Sequence, residues 1–251
     1  IPIAADEKVT SMIRVPEFDE EKYLVMVTKQ GIIKRISLNA YNTARKGGLI
    51  ALELNEGDEL AWVRLTDGNQ QVIVATKNGL AIRFEETDVR PMGRQARGVK
   101  AISLREGDCV VGMCVVTNDD LILTASETGF GRISNVSDYR LQSRGGKGIT
   151  NYHTEKYGNV AAVSAVKLDE DIIIISQEGV IIRIAADTVR ICNRPSKGVT
   201  LMRIGENDKV VTVARAPHED SESEKTEETA EEETSEENTA PETNAEENTE
   251  E

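Results

Sequence analysis

Leu121-Ile122-Leu123-Thr124-Ala125-Ser126-Glu127-Thr128-Gly129-Phe130-Gly131-Arg132-Ile133 is an apolar run ending in a hydroxyl residue, then a glycine turn, then a short apolar run carrying a cation. The same phrase occurs four times. Its glycines are Gly31, Gly79, Gly129 and Gly179, spaced 48, 50 and 50 residues apart. The runs before them are Leu24 to Thr28, Val72 to Thr76, Leu121 to Ser126 and Ile172 to Ser176. The runs after them carry Lys34 and Arg35, Arg83, Arg132 and Arg183. A period of this length with several short strands per unit marks a propeller-like array, in which each unit buries its faces against its neighbours.

Aligning the units on their glycines brings further columns into register. Arg90, Arg140 and Arg190 lie 50 apart, as do Arg94, Arg144 and Arg194. Arg97, Lys147 and Lys197 are each followed by glycine, at Gly98, Gly148 and Gly198. The first unit is two residues shorter here and offers Arg45-Lys46-Gly47-Gly48. An apolar strand follows in each unit, then an acidic turn and a last apolar strand. The turns are Glu56-Gly57-Asp58, Glu106-Gly107-Asp108 and Glu206-Asn207-Asp208, with Lys156-Tyr157-Gly158 in the third unit.

Each unit therefore reads strand, glycine turn, strand, basic loop, strand, acidic turn, strand. Asn78-Gly79 is a two-residue hairpin signal, since both of its positions tolerate positive φ. Val, Ile, Leu and Thr suit a pleated, half-buried surface, and no stretch keeps helical periodicity. The expectation is all-β: four-stranded blades over 22–66, 70–117, 119–167 and 170–216, within a repeat region spanning 1–216. Residues 6–15 resemble an acidic turn plus last strand and are expected to close a preceding blade. That strand, and Ile1 in place of Met, lead us to expect a fragment with blades upstream of it.

Composition changes at Pro217. Residues 217–251 hold 16 of the 44 acidic residues and one of the 30 basic ones, Lys225. The repeats thus carry 28 acids against 29 bases, so the formal charge of −14 belongs to the tail. With almost no apolar side chains to offset ordering entropy, the tail is expected to be disordered. Its carboxylates, tethered near the basic loops, could compete there with a polyanion, or the tail could serve only as a solubilising terminus.

Cys109, Cys114 and Cys192 lack metal-ligand spacing and read as small buried hydrophobes in a reducing compartment. His153 and His218 have no triad or zinc partners, so neither a catalytic set nor a metal site is expected. No apolar run reaches the roughly 20 residues of a membrane span.

Chemistry concentrates in the basic loops. Arg45 and Lys46, Arg94 and Arg97, Arg144 and Lys147, and Arg194 and Lys197 recur beside glycines in successive units. Glycine admits close approach of backbone N–H groups to phosphate, and the cations supply charge, which together would hold a polyanion without reading bases. Stacked units would string these loops along one curved border. Aromatics are absent from the loops, which favours duplex over stacked single strands. As exposed loop cations, Arg144 and Lys147 are expected to add little to fold stability. Eight such contacts would give a log–log salt slope of roughly −7.

Gln142-Ser143-Arg144-Gly145-Gly146-Lys147-Gly148 resembles the Gln-Arg-Arg-Gly-Gly-Lys-Gly box of the C-terminal domain of the DNA gyrase A subunit. The resemblance runs from about Asp6 to Ala216 and includes an acidic tail. It implies a six-bladed β-pinwheel, of which about four blades are present, wrapping duplex DNA in support of ATP-dependent negative supercoiling by a type II topoisomerase. It further implies an A2B2 assembly that joins the rest of the A subunit to the B subunit. ATP and Mg would sit on the latter, and the complex in the cytoplasm at the nucleoid. Ser143 departs from the box, and the segment lies in the third repeat, whereas the family's box lies in its first blade. These repeats then correspond to blades three to six, with the family's own box upstream. Nothing resembles the cleavage domain, and Tyr23, Tyr41, Tyr139, Tyr152 and Tyr157 read as structural. Two alternatives stand: the equivalent domain of the topoisomerase IV A subunit, and a propeller scaffold for protein partners.

Overall fold

The computed structural model describes residues 9–43 and 48–218. The strands fall within the unit that ends at residue 216, and the expected disordered tail, apart from Pro217 and His218, lies outside the described residues. The first repeat supplies β1 (Tyr23–Thr28), β2 (Ile32–Ser37) and β3 (Leu60–Thr66). The second supplies β4 (Gln71–Thr76), β5 (Leu80–Glu85), β6 (Val99–Lys100) and β7 (Val110–Val116). The third supplies β8 (Leu121–Ser126), β9 (Phe130–Asn135), β10 (Ile149–Thr150) and β11 (Val160–Val166). The fourth supplies β12 (Glu170–Ser176), β13 (Ile181–Ala185), β14 (Val199–Thr200) and β15 (Val210–Pro217). A single-turn helix, α1 (Thr154–Tyr157), replaces the acidic turn of the third repeat.

The propeller-like blades do not follow the repeat boundaries. Their strand orders are β3-β1-β2-β6, β7-β4-β5-β10 and β11-β8-β9-β14, with a three-stranded β15-β12-β13 at the end. The two-residue strand after each basic loop crosses to the sheet of the preceding repeat, pairing Val99 with Ile33, Ile149 with Ala81 and Val199 with Gly131. Sequence reading had assigned all four strands of a blade to one unit. Two residues are too few to show a periodicity that would betray their partner.

The glycine turns explain the hydroxyl residues before them. Each turn is closed by the glycine N–H donating to the Thr or Ser carbonyl three residues back, at 3.0 Å for Gly31 and Gly79. Gly79 has φ +80°. The loop is therefore longer than the two-residue Asn-Gly turn expected, with glycine last, in the left-handed conformation. The hydroxyls of Thr28, Thr76, Ser126 and Ser176 then accept the N–H of the residue after the glycine, at 3.1–3.3 Å. The acidic turns lock the same hairpins: Asp58, Asp108 and Asp208 accept the N–H groups of Gln30, Asn78 and Glu178 at 3.0, 2.9 and 3.1 Å.

The core lies between blades. Val72 and Val74 of β4 pack with Val25, Val27 and Ile33, while Ile73 and Ala75 of the same strand pack with Ile122, Tyr139 and Tyr152 of the third repeat. A third layer joins Leu123 and Ala125 to Ile172, Ile174 and Met202. Alternate residues of an inner blade thus meet opposite neighbours, which is why its strands are apolar almost throughout.

Residues 9–15, the described part of the expected leading strand, are irregular backbone. A strand exists by pairing, and none of the described strands pairs with this segment. Among the described residues no helix is long and apolar enough to cross a membrane.

Candidate nucleic-acid interface

The basic loops of the second, third and fourth repeats each start and end on the second strand of the preceding repeat. At the start, the N–H groups of Met92, Gln142 and Cys192 donate to the carbonyls of Arg35, Arg83 and Ile133 at 2.9, 3.0 and 2.8 Å. At the end stand Gly98, Gly148 and Gly198, with φ +96°, +74° and +82°. A Cβ at Gly98 would lie 2.6 Å from the Ile33 carbonyl oxygen, and one at Gly148 would lie 2.5 Å from that of Ala81. Gly198 sits still closer to the Gly131 carbonyl. These glycines serve the docking of the loop on its neighbour.

The docking fixes where the loops lie. In every full blade the strand after the loop occupies one edge, while β3, β7 and β11 occupy the other. Side chains of that other edge, among them Trp62, Arg64, Met113, Cys114 and Ala165, line a cavity of about 530 Å³ together with Val213 of β15. Burial there pushes the Cys114 thiol up to about 11. Arg94, Arg144 and Arg194 thus lie on the sheet edges away from this cavity, at equivalent places on successive blades. Arg45 and Lys46 lie outside the described residues.

The expected site residues divide by what their side chains do. Arg144 is half-buried, its Nε donating to the Asp88 carbonyl at 3.0 Å and Nη1 to the Lys100 carbonyl at 3.2 Å. Arg194 repeats this on Asp138, at 2.9 Å, and on Thr150, with its guanidinium 5.2 Å from the Tyr139 ring centre. Both clamp the loop to the preceding repeat. The Arg94 carbonyl accepts from Lys34 Nζ at 2.5 Å.

Inside the box the backbone is also committed. Gly145, at φ +81°, donates its N–H to the Ala101 carbonyl at 2.6 Å, and the Gly145 and Gly146 carbonyls accept from Ser103 at 2.8 Å each. Gly145 therefore does not offer its N–H to a phosphate, as the sequence reading supposed, because its neighbour's carbonyl already takes it. Gln142 Nε2 is buried without a partner among the described residues.

Three loop cations remain toward solvent. Lys147 is exposed. Arg97 pairs with Glu53 at 2.7 Å, a hydrogen bond that holds the Glu53 carboxyl below its usual range, and both side chains are exposed. Lys197 rests its ammonium 3.5 Å from the Phe130 ring centre.

Sequence reasoning used the column Arg90, Arg140 and Arg190 only to align repeats. All three are exposed, and their side chains have no hydrogen-bond or ion-pair partner among the described residues. Each immediately precedes a residue bridged to the neighbouring blade, Pro91 to Arg35, Leu141 to Arg83 and Ile191 to Ile133. Their 50-residue spacing was the available signal.

The cations of the second strands are structural. Lys34 Nζ donates to the carbonyls of Ala51 and Arg94 at 2.7 and 2.5 Å, and burial lowers its pKa. Arg83 donates to the Val136 and Tyr139 carbonyls of the next repeat at 2.9 and 3.0 Å. The hydrogen bonds that Lys34 and Arg83 donate to these carbonyls offset part of the cost of burying their charge.

A family model described as the DNA gyrase C-terminal domain, beta-propeller, matches residues 22–67, 70–116, 120–167 and 170–217, one match per repeat. The chain belongs to this gyrase C-terminal domain family. Its gyrase relatives include the DNA gyrase A subunit of Clostridium acetobutylicum, 55% identical over 95 residues, covering 38% of this chain and 11% of that protein. Another is the gyrase A subunit of Halalkalibacterium halodurans, 53% identical over 100 residues, covering 40% of this chain and 12% of that one. The chain is thus aligned to only 11–12% of the length of these gyrase proteins. Among solved structures, a DNA gyrase A C-terminal domain superimposes with TM-score 0.76 at 28% identity, over 86% of this chain and 73% of that one. The C-terminal domain of a DNA topoisomerase IV superimposes with TM-score 0.81 at 27% identity, over 93% and 73%. The gyrase pinwheel and its topoisomerase IV counterpart share this architecture.

Proposed function

We propose that the chain is the part of a gyrase A subunit that holds duplex DNA along the outer edges of its blades, through phosphates. The observation that carries this reading is the recurrence of exposed, unpartnered cations at equivalent places on successive blades: Arg90, Arg140 and Arg190, with Lys147 beside them. Point cations without base-reading geometry bind by counterion release and are indifferent to sequence. Spread along successive blades they favour a bent duplex, whose elastic cost of a few kcal/mol the added contacts offset.

In this reading the segment serves ATP-dependent negative supercoiling without catalytic residues of its own. Strand cleavage belongs to the remainder of the A subunit, while ATP and Mg belong to the B subunit of an A2B2 assembly at the nucleoid in the cytoplasm. No residue of this chain is assigned to either cofactor.

Duplex affinity measured against salt tests the proposal. The side chains of Arg90, Lys100, Arg140, Lys147 and Arg190 are exposed and make no hydrogen bond or ion pair among the described residues. Five phosphate contacts give a log–log slope of about −4.5, shallower than that of eight loop cations. Equal affinity for unrelated duplexes is expected. Salt-independent binding, or no duplex affinity at all, overturns the proposal and favours a protein scaffold.

A further inference from the structure

We propose that the interface between the second and third blades binds a small monovalent anion of the size of chloride, held by Arg132 and Ser134 of β9. Arg132 is fully buried. Its Nη2 donates to the carbonyl and Oδ1 of Asn151 at 2.5 and 3.2 Å, while Nε and Nη1 have no hydrogen-bond partner among the described residues. Ser134 lies two residues along the strand, hence on the same face, and is also fully buried. Its Oγ makes no hydrogen bond among the described residues either, so three unused donor atoms lie on one face of β9.

The second blade shows that the fold does not need polar groups at these places. Thr124 faces Arg132 across the ladder and Ile122 faces Ser134, and Ile122 and Tyr139 pack against Ile73 and Ala75 of the second blade. The counterparts 50 residues earlier are Val74 facing Ile82 and Val72 facing Phe84, with Val89 and Ala101 in place of Tyr139 and Asn151. Both sets are buried, but the second-blade set is wholly apolar. In the third blade Tyr139 Oη donates to Asn151 Oδ1 at 2.7 Å and Asn151 Nδ2 to Thr124 Oγ1 at 3.3 Å. These bonds satisfy Asn151 and leave Arg132 short of acceptors.

The first blade shows how a buried cation at this place is satisfied by the chain alone. Lys34 is the counterpart of Arg132, and Ala51 and Arg94 are those of Asn151 and Arg194. Lys34 Nζ donates to both carbonyls, whereas Arg132 donates only to that of Asn151. Positive charge also gathers here. Arg83 donates to the Tyr139 carbonyl at 3.0 Å, and the Arg194 guanidinium lies 5.2 Å from the Tyr139 ring centre. Among the described residues, the hydrogen bonds of Arg83, Arg132 and Arg194 all go to carbonyl or amide oxygens and none to a carboxylate. An anion on Nε, Nη1 and the Ser134 hydroxyl supplies both the missing acceptor and the missing counter-charge; a water supplies only the first.

Urea unfolding of the whole chain tests this, with chloride replacing the much larger gluconate at constant ionic strength. An anion bound only by the folded chain raises the folded-to-unfolded ratio by a factor approaching about ten for each tenfold rise in chloride above its dissociation constant. The wild type is expected to show that gain. Ser134→Ala removes one donor and little volume, and should need more chloride for the same gain. Arg132→Ile, which places the second-blade residue in the third, should show none; if it does not fold, Ser134→Ala decides alone. A wild-type ratio independent of chloride, as a bound water would give, overturns the proposal. So does a gain that either variant keeps in full at the same chloride concentrations, which would mark a general salt effect or an ion bound elsewhere.

Discussion

Arg144 Nε lies 3.0 Å from the carbonyl oxygen of Asp88, a residue of the preceding repeat. With its second bond to Lys100, the guanidinium fastens one repeat's loop to another repeat's backbone. Arg144→Ala is therefore expected to lower stability by about 1 kcal/mol. Lys147→Ala, three residues on and exposed, should stay within about 0.5 kcal/mol of wild type. Urea denaturation of both variants checks the contrast. Equal stabilities would return Arg144 to the role of a free surface cation.

Gly148 and Gly107 share a left-handed backbone, with φ +74° and +71°, but not their surroundings. A Cβ at Gly148 meets the Ala81 carbonyl oxygen at 2.5 Å, whereas one at Gly107 meets nothing within 4 Å. Gly107→Ala should cost only the backbone strain, about 1 kcal/mol. Gly148→Ala must also displace the loop and should cost about 3 kcal/mol or more. Thermal unfolding of the pair separates conformational strain from close approach.

Replacing Arg90, Arg140 and Arg190 together with Ala leaves every described hydrogen bond of their side chains untouched, because there are none. Stability should be unchanged. The salt slope of duplex binding should flatten by about 2.7, from three lost phosphate contacts. An unchanged slope would place the DNA elsewhere on the molecule.

Lys34 is fully buried, and its desolvation lowers its pKa below the ordinary 10.5. Between its folded pKa and 10.5 the folded chain binds fewer protons at this group than the unfolded chain, so stability from this group rises with pH in that window. Lys34→Met removes both the titration and two carbonyl partners, and at neutral pH should cost about 2 kcal/mol. The wild-type advantage over the variant should widen as pH approaches 10.5. Parallel pH profiles would mean that the ammonium is not desolvated.

The repeat and its hairpins were legible because they are local. Thr76, Asn78 and Gly79 lie within one turn, and Asp108 recurs at a fixed distance from it, so period and composition carry the information. The exchange of Val99-Lys100 into the neighbouring blade was not legible, since a two-residue strand has no pattern and its partner Ile33 is far away in sequence. The roles of the loop residues were hidden for the same reason. Arg144 and Arg140 are alike as letters, and only the carbonyls of Asp88 and Lys100 make one a clamp and leave the other free. Gly148 reads as a phosphate-binding glycine until the Ala81 carbonyl is seen against it.

Religation of nicked circular DNA in the presence of the chain tests most directly whether the outer-edge cations form a track for duplex. A shift in the linking number of the closed circles is expected, and it should be lost in the Arg90, Arg140 and Arg190 triple variant at the same salt concentration. Circles closed at unchanged linking number, or a shift that the triple variant retains, would contradict the account.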